Sequence, residues 1–451
     1  MVLIKLKSKI DSSNPEHPIE SKDSESLYSS GLRLFKAKKY QKAFPLFHEA
    51  ARKGDIAAQN IVGLMYEKGV GIEQDNQKAA KWYQKAAEQI IKEARLRVRS
   101  GPQQTMRQVD SADHSKIYAA TVRWYRRLAE KGNVDVEENL AMLYECGCGV
   151  KKNFVEALKW YRKAANKKQA SAQYYVGIAY CYGQGVSKDF ENGFIWFKRA
   201  AAQGHADAQL EVGRMYSEGK GVKQNTEEAF KWYRKAAEEE NVIAQYQVGR
   251  MYYHGEGVRK DFKKAFKWFE KSAGSGSDEA YHDMGGMYVR GEGVKQNVAK
   301  AQACWQKAAD KGHLESMEKL GSMYFDGFGV EKSYALAKTW WQKAAQGGHA
   351  GSLVNLGWLM YLSGNYQESI EWSQKAAARK EGLGQANLAF VLLISGDIAA
   401  SEREYQVLTN RYASKDEWIK SAKSDLAEYI AQKGQYATAA KKILRKYFAK
   451  K

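Results

Sequence analysis

The chain has 451 residues, 44% of them hydrophobic and 27% charged, which excludes an intrinsically disordered composition. Its four prolines all lie before residue 103, and such a long proline-free remainder favours helices over a conventional mixed enzyme fold, because proline interrupts a helix. The formal net charge of +20 permits attraction to nucleic acid, anionic lipid or an acidic protein, and it selects none of them.

Cysteine usage and the N-terminus bear on the compartment. Four cysteines (Cys146, Cys148, Cys181 and Cys304) are too few for a disulfide framework in a chain of this length. No apolar run reaches the roughly 18 residues that span a bilayer, and the first seven residues are too short an apolar stretch for a secretory signal peptide. We therefore expect a cytoplasmic protein without a transmembrane segment, and export by a specialised, signal-independent route stays open.

The first 87 residues predict a leader and two helix pairs of different lengths. Residues 1–24 are polar and without pattern, and we expect a flexible leader there. Residues 25–54 predict a short pair, in which Gly31 and Ala43 stand 12 residues apart. Residues 55–87 predict a longer pair, in which Gly63 and Ala79 stand 16 residues apart, and the additional residues form a Gly-x-Gly loop.

Residues 88–136 depart from this pattern. Trp82 and Trp124 are 42 residues apart instead of 36, and no Gly-x-x-Tyr-x-x-Gly string lies between them. The segment holds several arginines between Arg95 and Arg107, and an intact second helix follows around Trp124. We expect a degenerate repeat with a basic insertion.

Residues 137–348 hold a regular array. A Gly-x-x-Tyr-x-x-Gly-x-Gly-Val string recurs every 36 residues and precedes an Ala-x-x-Trp-(Tyr/Phe)-x-(Lys/Arg)-Ala-Ala string. The first glycine of the string is Gly177, Gly213, Gly249, Gly285 and Gly321. Apolar residues at helical spacing predict two antiparallel helices per unit. The first glycine would permit close packing of a neighbouring helix, and the Gly-x-Gly pair would end the first helix.

The second helix of each unit starts at a favoured capping residue. At period 36 this position holds Asn153, Asp189, Asn225, Asp261, Asn297 and Ser333. One helix pair cannot bury its aromatic face alone, so neighbouring pairs must stack into a solenoid.

Residues 349–451 return to the short type of pair. Gly357 and Ser369 stand 12 residues apart, as do two later equivalent pairs. The last helix, which carries lysines from Lys441 to Lys451 around Ile443 and Phe448, is basic and amphipathic. We expect it to cap the array, with contact to an anionic membrane as the secondary hypothesis.

The 36-residue units resemble Sel1-like repeats, and the short pairs resemble tetratricopeptide repeats (TPR). The resemblance covers roughly residues 25–449 and implies an all-α fold, a right-handed α-solenoid (superhelix) of antiparallel helix pairs in which Sel1-like repeats are capped by TPR-like units. It also implies a protein-interaction scaffold, since proteins of the family act as adaptors in membrane-protein quality control, as cell-wall synthase regulators and as factors of host-associated bacteria. One secreted branch has a disulfide in each repeat; this chain departs from it, because its cysteines do not recur at the repeat period.

The resemblance to TPR also implies where a partner would bind. In those repeats the concave groove is lined by residues three before, one after and four after the first-helix glycine. These positions give seven candidates, namely Tyr174, Arg214, Tyr246, Arg250, Tyr253, His282 and Phe325. Tyrosine and arginine at the centre of a concave surface are favoured anchors for a peptide or an acidic segment.

Catalytic, cofactor and metal motifs are not visible in the sequence. No His-Glu-x-x-His, Cys-x-x-Cys, Gly-x-Ser-x-Gly or Gly-Lys-Ser/Thr string occurs, so we expect no enzyme, no cofactor and no metal. The Gly-x-Gly pair follows a helix instead of a strand, which indicates a turn and not a phosphate loop. His205, His313 and His349 share one repeat position, where we expect a structural role. A thiol pair or a zinc ion at Cys146, Cys148 and Cys181 is a minor alternative.

A basic residue stands three positions after the Trp position in all nine units. The set is Lys85, Arg127, Lys163, Arg199, Lys235, Lys271, Lys307, Lys343 and Lys375. We interpret it as side-chain stems packed along the second helix, with the charge near the carboxyl end that the helix dipole makes favourable for cations. A positive stripe that follows a polyanion is the alternative. The tryptophans themselves, such as Trp160, Trp196, Trp232, Trp268 and Trp340, are predicted to be core.

The sequence therefore predicts a non-enzymatic adaptor that holds a protein or peptide partner, with an acidic segment as one option. A bacterial factor that acts on host or membrane-associated complexes would be one setting for it. The alternative is a basic helical-repeat protein that binds nucleic acid, although a periodic two-residue base-reading code is not seen at the groove positions. An enzyme built into residues 88–120 would need a nucleophile and base that are not visible.

Overall fold

The computed structural model describes residues 24–99, 118–412, 416–432 and 434–448, which form 23 α-helices and no strand. The described helices divide into two compact units, one that ends at Gln224 and one that starts at Asn225. Within each unit, the second helix of a pair generally packs against the first helix of its own pair and against the first helix of the next pair. This stacking of helix pairs is the predicted α-solenoid architecture. The predicted leader, apart from Ser24, and residues 100–117 of the basic insertion lie outside the described residues.

The described helices of the first unit are α1 (Ser24–Lys36), α2 (Tyr40–Arg52), α3 (Ile56–Lys68), α4 (Asn76–Arg99), α5 (Ala119–Glu130), α6 (Val134–Cys146), α7 (Phe154–Asn166), α8 (Ala170–Tyr182), α9 (Phe190–Ala202) and α10 (Ala206–Glu218). Those of the second unit are α11 (Thr226–Glu238), α12 (Val242–His254), α13 (Phe262–Gly274), α14 (Asp278–Arg290), α15 (Val298–Asp310), α16 (Leu314–Asp326), α17 (Tyr334–Gln346), α18 (Ala350–Leu362), α19 (Tyr366–Ala378), α20 (Gly382–Ile394), α21 (Ile398–Arg411), α22 (Asp416–Ala431) and α23 (Ala437–Phe448).

The first-helix glycines receive an aromatic ring from the second helix of the same pair. A Cβ added at Gly177 would lie 2.6 Å from the Phe197 ring, and the same distance separates a Cβ at Gly249 from Phe269. The role predicted for this glycine, close helix packing, is therefore confirmed. The ring comes from the residue that follows the Trp position, and Phe269 is only 1% exposed.

The Gly-x-Gly pair ends the first helix and also contacts the preceding repeat. Gly255 closes α12 at φ 80°, and Gly257 has φ 66°, both in the left-handed region that glycine adopts without strain. A side chain at Gly257 would collide with the Thr226 carbonyl at the start of α11. The loop is thus fitted to the repeat before it.

Side-chain caps start the helices as predicted. The side chains of the six predicted second-helix caps, from Asn153 to Ser333, each accept a hydrogen bond from a backbone N–H in the first turn. The first helices have caps too. The Nδ1 atoms of His205, His313 and His349 accept from the backbone N–H three residues on, at 3.2 Å in each case. The structural role predicted for these histidines is confirmed.

The described part of residues 88–136 holds the end of the long helix α4, the helix α5 and the start of α6. Helix α4 has 24 residues and contacts both α5 and α6, so it borders two successive elements of the stack. Helix α5 also contacts α3, where the backbone N–H and the hydroxyl of Thr121 donate to Asn60 Oδ1 at 2.9 and 2.7 Å. This buried link joins the chain on the two sides of residues 100–117.

Candidate protein-binding surface

The seven predicted binding residues lie on the first helices of five successive pairs, α8, α10, α12, α14 and α16. We call the positions three before, one after and four after the first-helix glycine the first-helix row. Tyr174 and Arg214 belong to the first unit, and the other five residues belong to the second. The structure shows which of their polar groups are already used within the chain.

Tyr246 is tied to the next repeat. Its hydroxyl donates to Asp283 Oδ2 at 2.9 Å, and both side chains are half-buried. Burial raises the pKa of Asp283, against the opposing effects of the Tyr246 hydrogen bond and the Arg250 charge. Arg250, one turn along from Tyr246, is exposed and forms no hydrogen bond or ion pair with any residue that the structure describes. Its guanidinium is therefore open to a partner.

Tyr253 lies in a second cluster between repeats. Its hydroxyl donates to Glu292 Oε2 at 2.8 Å and accepts from Arg290 Nη2 at 2.9 Å. Arg290 Nε completes the cluster with a bond of 2.8 Å to the same carboxylate. Glu292 is the middle residue of a Gly-x-Gly loop, so the loop fixes this ring in place.

His282 belongs to a pair of histidines. Its ring stacks on the ring of His313, with 4.7 Å between centroids, and the Ser316 hydroxyl lies 2.9 and 3.1 Å from the Nδ1 atoms of the two rings. Burial, and then the neighbouring His313, lower the pKa of His282 to about 4. The ring is therefore neutral at physiological pH.

The side chains of the remaining three candidates already contact other residues of the chain. Tyr174 stacks on His205 with 4.9 Å between ring centroids, and Arg214 binds Glu211 Oε2 through Nε at 3.0 Å and through Nη2. Phe325 packs on Trp341, 5.5 Å between centroids, at the edge of a hydrophobic core. The structure thus brings Tyr246, Arg250, Tyr253, His282 and Phe325 onto three consecutive first helices, and it leaves Arg250 as the open charge among them.

Comparison with known families identifies the repeats. The Sel1 repeat profile matches residues 26–55, 56–90, 118–133, 135–168, 170–205, 206–241, 242–277, 278–313 and 314–349, and a tetratricopeptide repeat profile matches residues 349–386. The chain belongs to the Sel1 repeat family. Sel1 and TPR arrays are in general protein-interaction modules, and the Sel1 family is typically non-enzymatic.

A solved structure with an SLR fold gives the same result for the fold. The chain is similar to a protective antigen of uropathogenic Escherichia coli with an SLR fold, at 26% identity and a TM-score of 0.56 over 90% of this chain and 95% of the antigen. It is also similar to a Sel1 repeat protein from Oxalobacter formigenes, at 31% identity and a TM-score of 0.47 over 57% of this chain and 99% of that one. No curated protein matches the sequence.

The basic residues that stand three positions after the Trp position, which we call the basic ladder, stack on the tryptophans of the same helices. Seven of the ladder's cations lie 3.9 to 4.7 Å from the centroid of the indole three residues earlier, as Lys163 does over Trp160 and Lys271 over Trp268. Such a cation–π contact contributes about 0.5–1 kcal/mol at an exposed site. The contacts support the prediction that the stems pack along the second helix.

The tryptophans themselves are less buried than predicted. Trp160 is 4% exposed, but Trp196, Trp232, Trp268 and Trp340 are only half-buried. The fully buried ring is the next residue, because one step along a helix turns the side chain by about 100° toward the first-helix glycine. The tryptophans lie between the buried core and the solvent, and the basic side chains stack on their outer faces.

Residues of the TPR-like end that were not among the seven candidates form an aromatic row. The ring centroids of Trp358 and Tyr361 are 5.0 Å apart, those of Tyr361 and Phe390 5.5 Å, and those of Phe390 and Tyr429 5.9 Å. Trp358 and Phe390 are one after the first-helix glycine position, and Tyr361 is four after it. The offset rule that selected Arg250 would therefore have found these three residues, had it been extended beyond the Sel1 repeats.

The basic C-terminal helix is packed as a cap. Ile443 and Phe448 of α23 are buried in the last hydrophobic core, and Lys442 and Lys446 lie 3.6 and 3.0 Å from the Glu402 carboxylate. Its apolar face is thus used within the protein, which favours the capping role over insertion into a membrane. None of the described helices is long and apolar enough to cross a bilayer.

The cysteines do not assemble a metal site. Cys146, the last residue of α6, forms a disulfide with Cys148 in the loop that follows, while Cys181 and Cys304 are free and buried. Among the described residues, no cluster of three or more histidine, cysteine or acidic side chains could hold a metal ion.

Proposed function

We propose that the protein is a non-enzymatic scaffold whose first-helix row in the second unit holds a segment of a protein partner. The observation that carries the proposal is the state of Arg250, an exposed guanidinium that forms no hydrogen bond or ion pair with any described residue. On neighbouring positions Tyr246 and Tyr253 are fixed by hydrogen bonds to the adjacent repeat. Fixed aromatic side chains lose little conformational freedom on binding, so they suit a recognition surface.

The partner would present an acidic side chain to Arg250. A guanidinium binds a carboxylate through two parallel hydrogen bonds, which gives geometric specificity as well as affinity. His282, on the next first helix, is neutral and adds a polar, uncharged ring to the row. The site therefore suits an extended acidic segment with aromatic or apolar residues.

The proposed setting is a bacterial cytoplasm or, after specialised export, a host cell. The similarity to a protective antigen of uropathogenic Escherichia coli supports a bacterial setting. The scaffold would there assemble host or membrane-associated complexes through its repeats.

Affinity capture with a matched pair of variants tests the scaffold. Arg250→Gln removes the open charge, whereas Lys267→Gln removes an exposed charge from the second helix α13 without touching the first-helix row. We expect Arg250→Gln to reduce recovery of the bound protein by about tenfold, as for loss of a charge-assisted contact at an interface, and Lys267→Gln to recover it as the wild type does. Equal recovery by both variants would contradict the proposal. Recovery of nucleic acid that disappears between low and moderate salt would instead support the alternative considered from the sequence.

A further inference from the structure

The TPR-like end of the second unit carries an aromatic surface that is distinct from the Arg250 region. Trp358, Tyr361 and Tyr429 are half-buried and therefore present part of their rings to solvent, while Phe390 between them is 4% exposed. Tyr366 extends this surface, because its ring stacks on Tyr361 at 6.2 Å and is 41% exposed. The rings come from α18, the start of α19, α20 and α22 and form one continuous row.

Two carboxylates of α22 lie beside this row. Asp425 is half-buried, and it forms no hydrogen bond or ion pair with any residue in the described part of the chain. Burial, together with the neighbouring Glu428, raises the pKa of Asp425 to about 6. Asp425 stands four residues before Tyr429 on α22, so the two side chains share one face of the helix, and Glu428 stands three residues after Asp425. Burial first, and then Tyr366, Asp425 and Glu428, raise the pKa of Tyr361.

The unpaired state of Asp425 contrasts with the carboxylates of the Sel1 repeats. Asp283 accepts from Tyr246, Glu292 accepts from Arg290, and Glu318 accepts from Asn355 at 3.2 Å. A carboxylate without such a donor costs free energy in the free protein. Tyr405 is 0% exposed, and its hydroxyl forms no hydrogen bond with any described residue. After burial, the charge of Asp425 raises the pKa of this hydroxyl, so Tyr405 is a second unsatisfied polar group that Asp425 affects.

We propose that this aromatic-acidic surface binds a basic side chain, arginine or lysine, from an apolar stretch of a protein partner. The ammonium or guanidinium would pair with Asp425 and Glu428 and lie against the faces of Tyr361 and Trp358, while apolar neighbours would cover Tyr366 and Tyr429. Aromatic faces attract cations, and carboxylates supply the opposite charge, so the two features select the same ligand. The inference rests on the proposed scaffold function and gives it a second site with the opposite charge preference.

A peptide series on the full-length protein tests the charge preference. Four fluorescein-labelled octapeptides with leucine and alanine flanks would differ only in one central residue, which is arginine, lysine, glutamine or glutamate. In fluorescence polarisation we expect the arginine and lysine peptides to bind about tenfold more tightly than the glutamine peptide, and the glutamate peptide to bind weakest. Equal affinities for arginine and glutamine, or no saturable binding of the arginine peptide up to about 1 mM, would overturn the proposal.

Variants on one helix locate the site. Asp425→Asn keeps the shape of the side chain and removes its charge, and Glu417→Gln makes a comparable change at an exposed position of the same helix. We expect Asp425→Asn to weaken the arginine peptide about tenfold and to leave the glutamine peptide unchanged, with Glu417→Gln within about twofold of the wild type. Far-UV circular dichroism of both variants confirms that the helices are retained. An Asp425→Asn protein that binds the arginine peptide as the wild type does would refute the site.

The variants distinguish a failure of the Arg250 proposal from a failure of the Asp425 proposal. Arg250→Gln changes the first site and is expected to leave the arginine peptide affinity unchanged. If Arg250→Gln abolishes partner capture while Asp425→Asn has no effect on the peptide, the scaffold stands and the basic-residue site falls. The reverse result would leave the aromatic-acidic surface as the binding site and remove the role of Arg250.

Discussion

Phe269 packs its ring against the backbone of Gly249, so that a Cβ at Gly249 would lie 2.6 Å from the ring atoms. The two residues are 20 positions apart and belong to the two helices of one pair, α12 and α13. The contact recurs as Gly177 with Phe197 in the first unit. It sets the distance between the helices of a repeat and explains why the first-helix position is glycine.

Substitution of Gly249 should therefore destabilise the protein although alanine is the better helix former. We expect Gly249→Ala to cost about 1–3 kcal/mol, because the ring must move out of a packed core. Gly274→Ala at the end of α13 is the control, since a Cβ there meets nothing within 4 Å and should be neutral or slightly stabilising. Urea unfolding followed by circular dichroism measures both, and a neutral Gly249→Ala would contradict the packing argument.

The histidine pair should make stability depend on pH. The pKa of His282 is about 4 in the folded state, below its ordinary value of 6.5, so the unfolded chain binds the proton more tightly. Stability from this group is therefore present above pH 6.5 and is lost as the pH falls toward 4, by about 2 kcal/mol at pH 5. The other charged groups that act on His282 are His313, Glu315, Glu318 and Lys319.

Unfolding midpoints at pH 7.5 and pH 5, compared between the wild type and His282→Gln, measure this effect. The variant should lose less stability than the wild type on acidification. An identical loss in both proteins would assign the pH dependence to other groups.

Asp425 should show the opposite dependence. Its pKa of about 6 lies above the ordinary 3.8, so the folded protein binds the proton more tightly than the unfolded chain. Stability from this group is present below pH 3.8 and is lost as the pH rises through 6. Asp425→Asn should therefore be more stable than the wild type by about 1–3 kcal/mol at pH 8, and the difference should vanish near pH 4. A destabilising Asp425→Asn at pH 8, seen in thermal unfolding, would mean that the carboxylate has a stabilising partner.

The basic ladder should affect stability and not partner binding. The triple variant Lys235→Gln, Lys271→Gln and Lys343→Gln removes three cations that stack on indole rings, and each should contribute about 0.5–1 kcal/mol. A control with the same charge change replaces the exposed lysines Lys267, Lys295 and Lys420. Thermal unfolding should separate the two triple variants, while affinity capture should give equal recovery. Loss of partner in the ladder variant alone would reinstate the positive stripe as a binding surface.

The periodicity of the sequence was sufficient to predict the architecture, because the glycine and capping positions are determined by the local backbone. Gly255 needs a left-handed backbone and Asn297 needs a nearby N–H, and both requirements are visible in one repeat. Contacts between repeats are harder to predict. They depend on the angle at which neighbouring repeats stack, because this angle decides which residues face each other. Hence the bond from Tyr246 to Asp283, 37 positions on, was not foreseen. The unpaired state of Asp425 was hidden for the same reason, because it depends on the absence of a donor from other helices.

The docking of Gly257 on the start of α11 has a consequence for how such a chain can change in length. Each Gly-x-Gly loop is complementary to the repeat before it. Removal of 36 residues between equivalent points therefore brings one such loop onto an equivalent docking surface. A deletion that is not a whole number of repeats would place a residue with a side chain where only glycine fits. Gain and loss of whole modules is thus the route by which this solenoid can be resized while every junction keeps its fit.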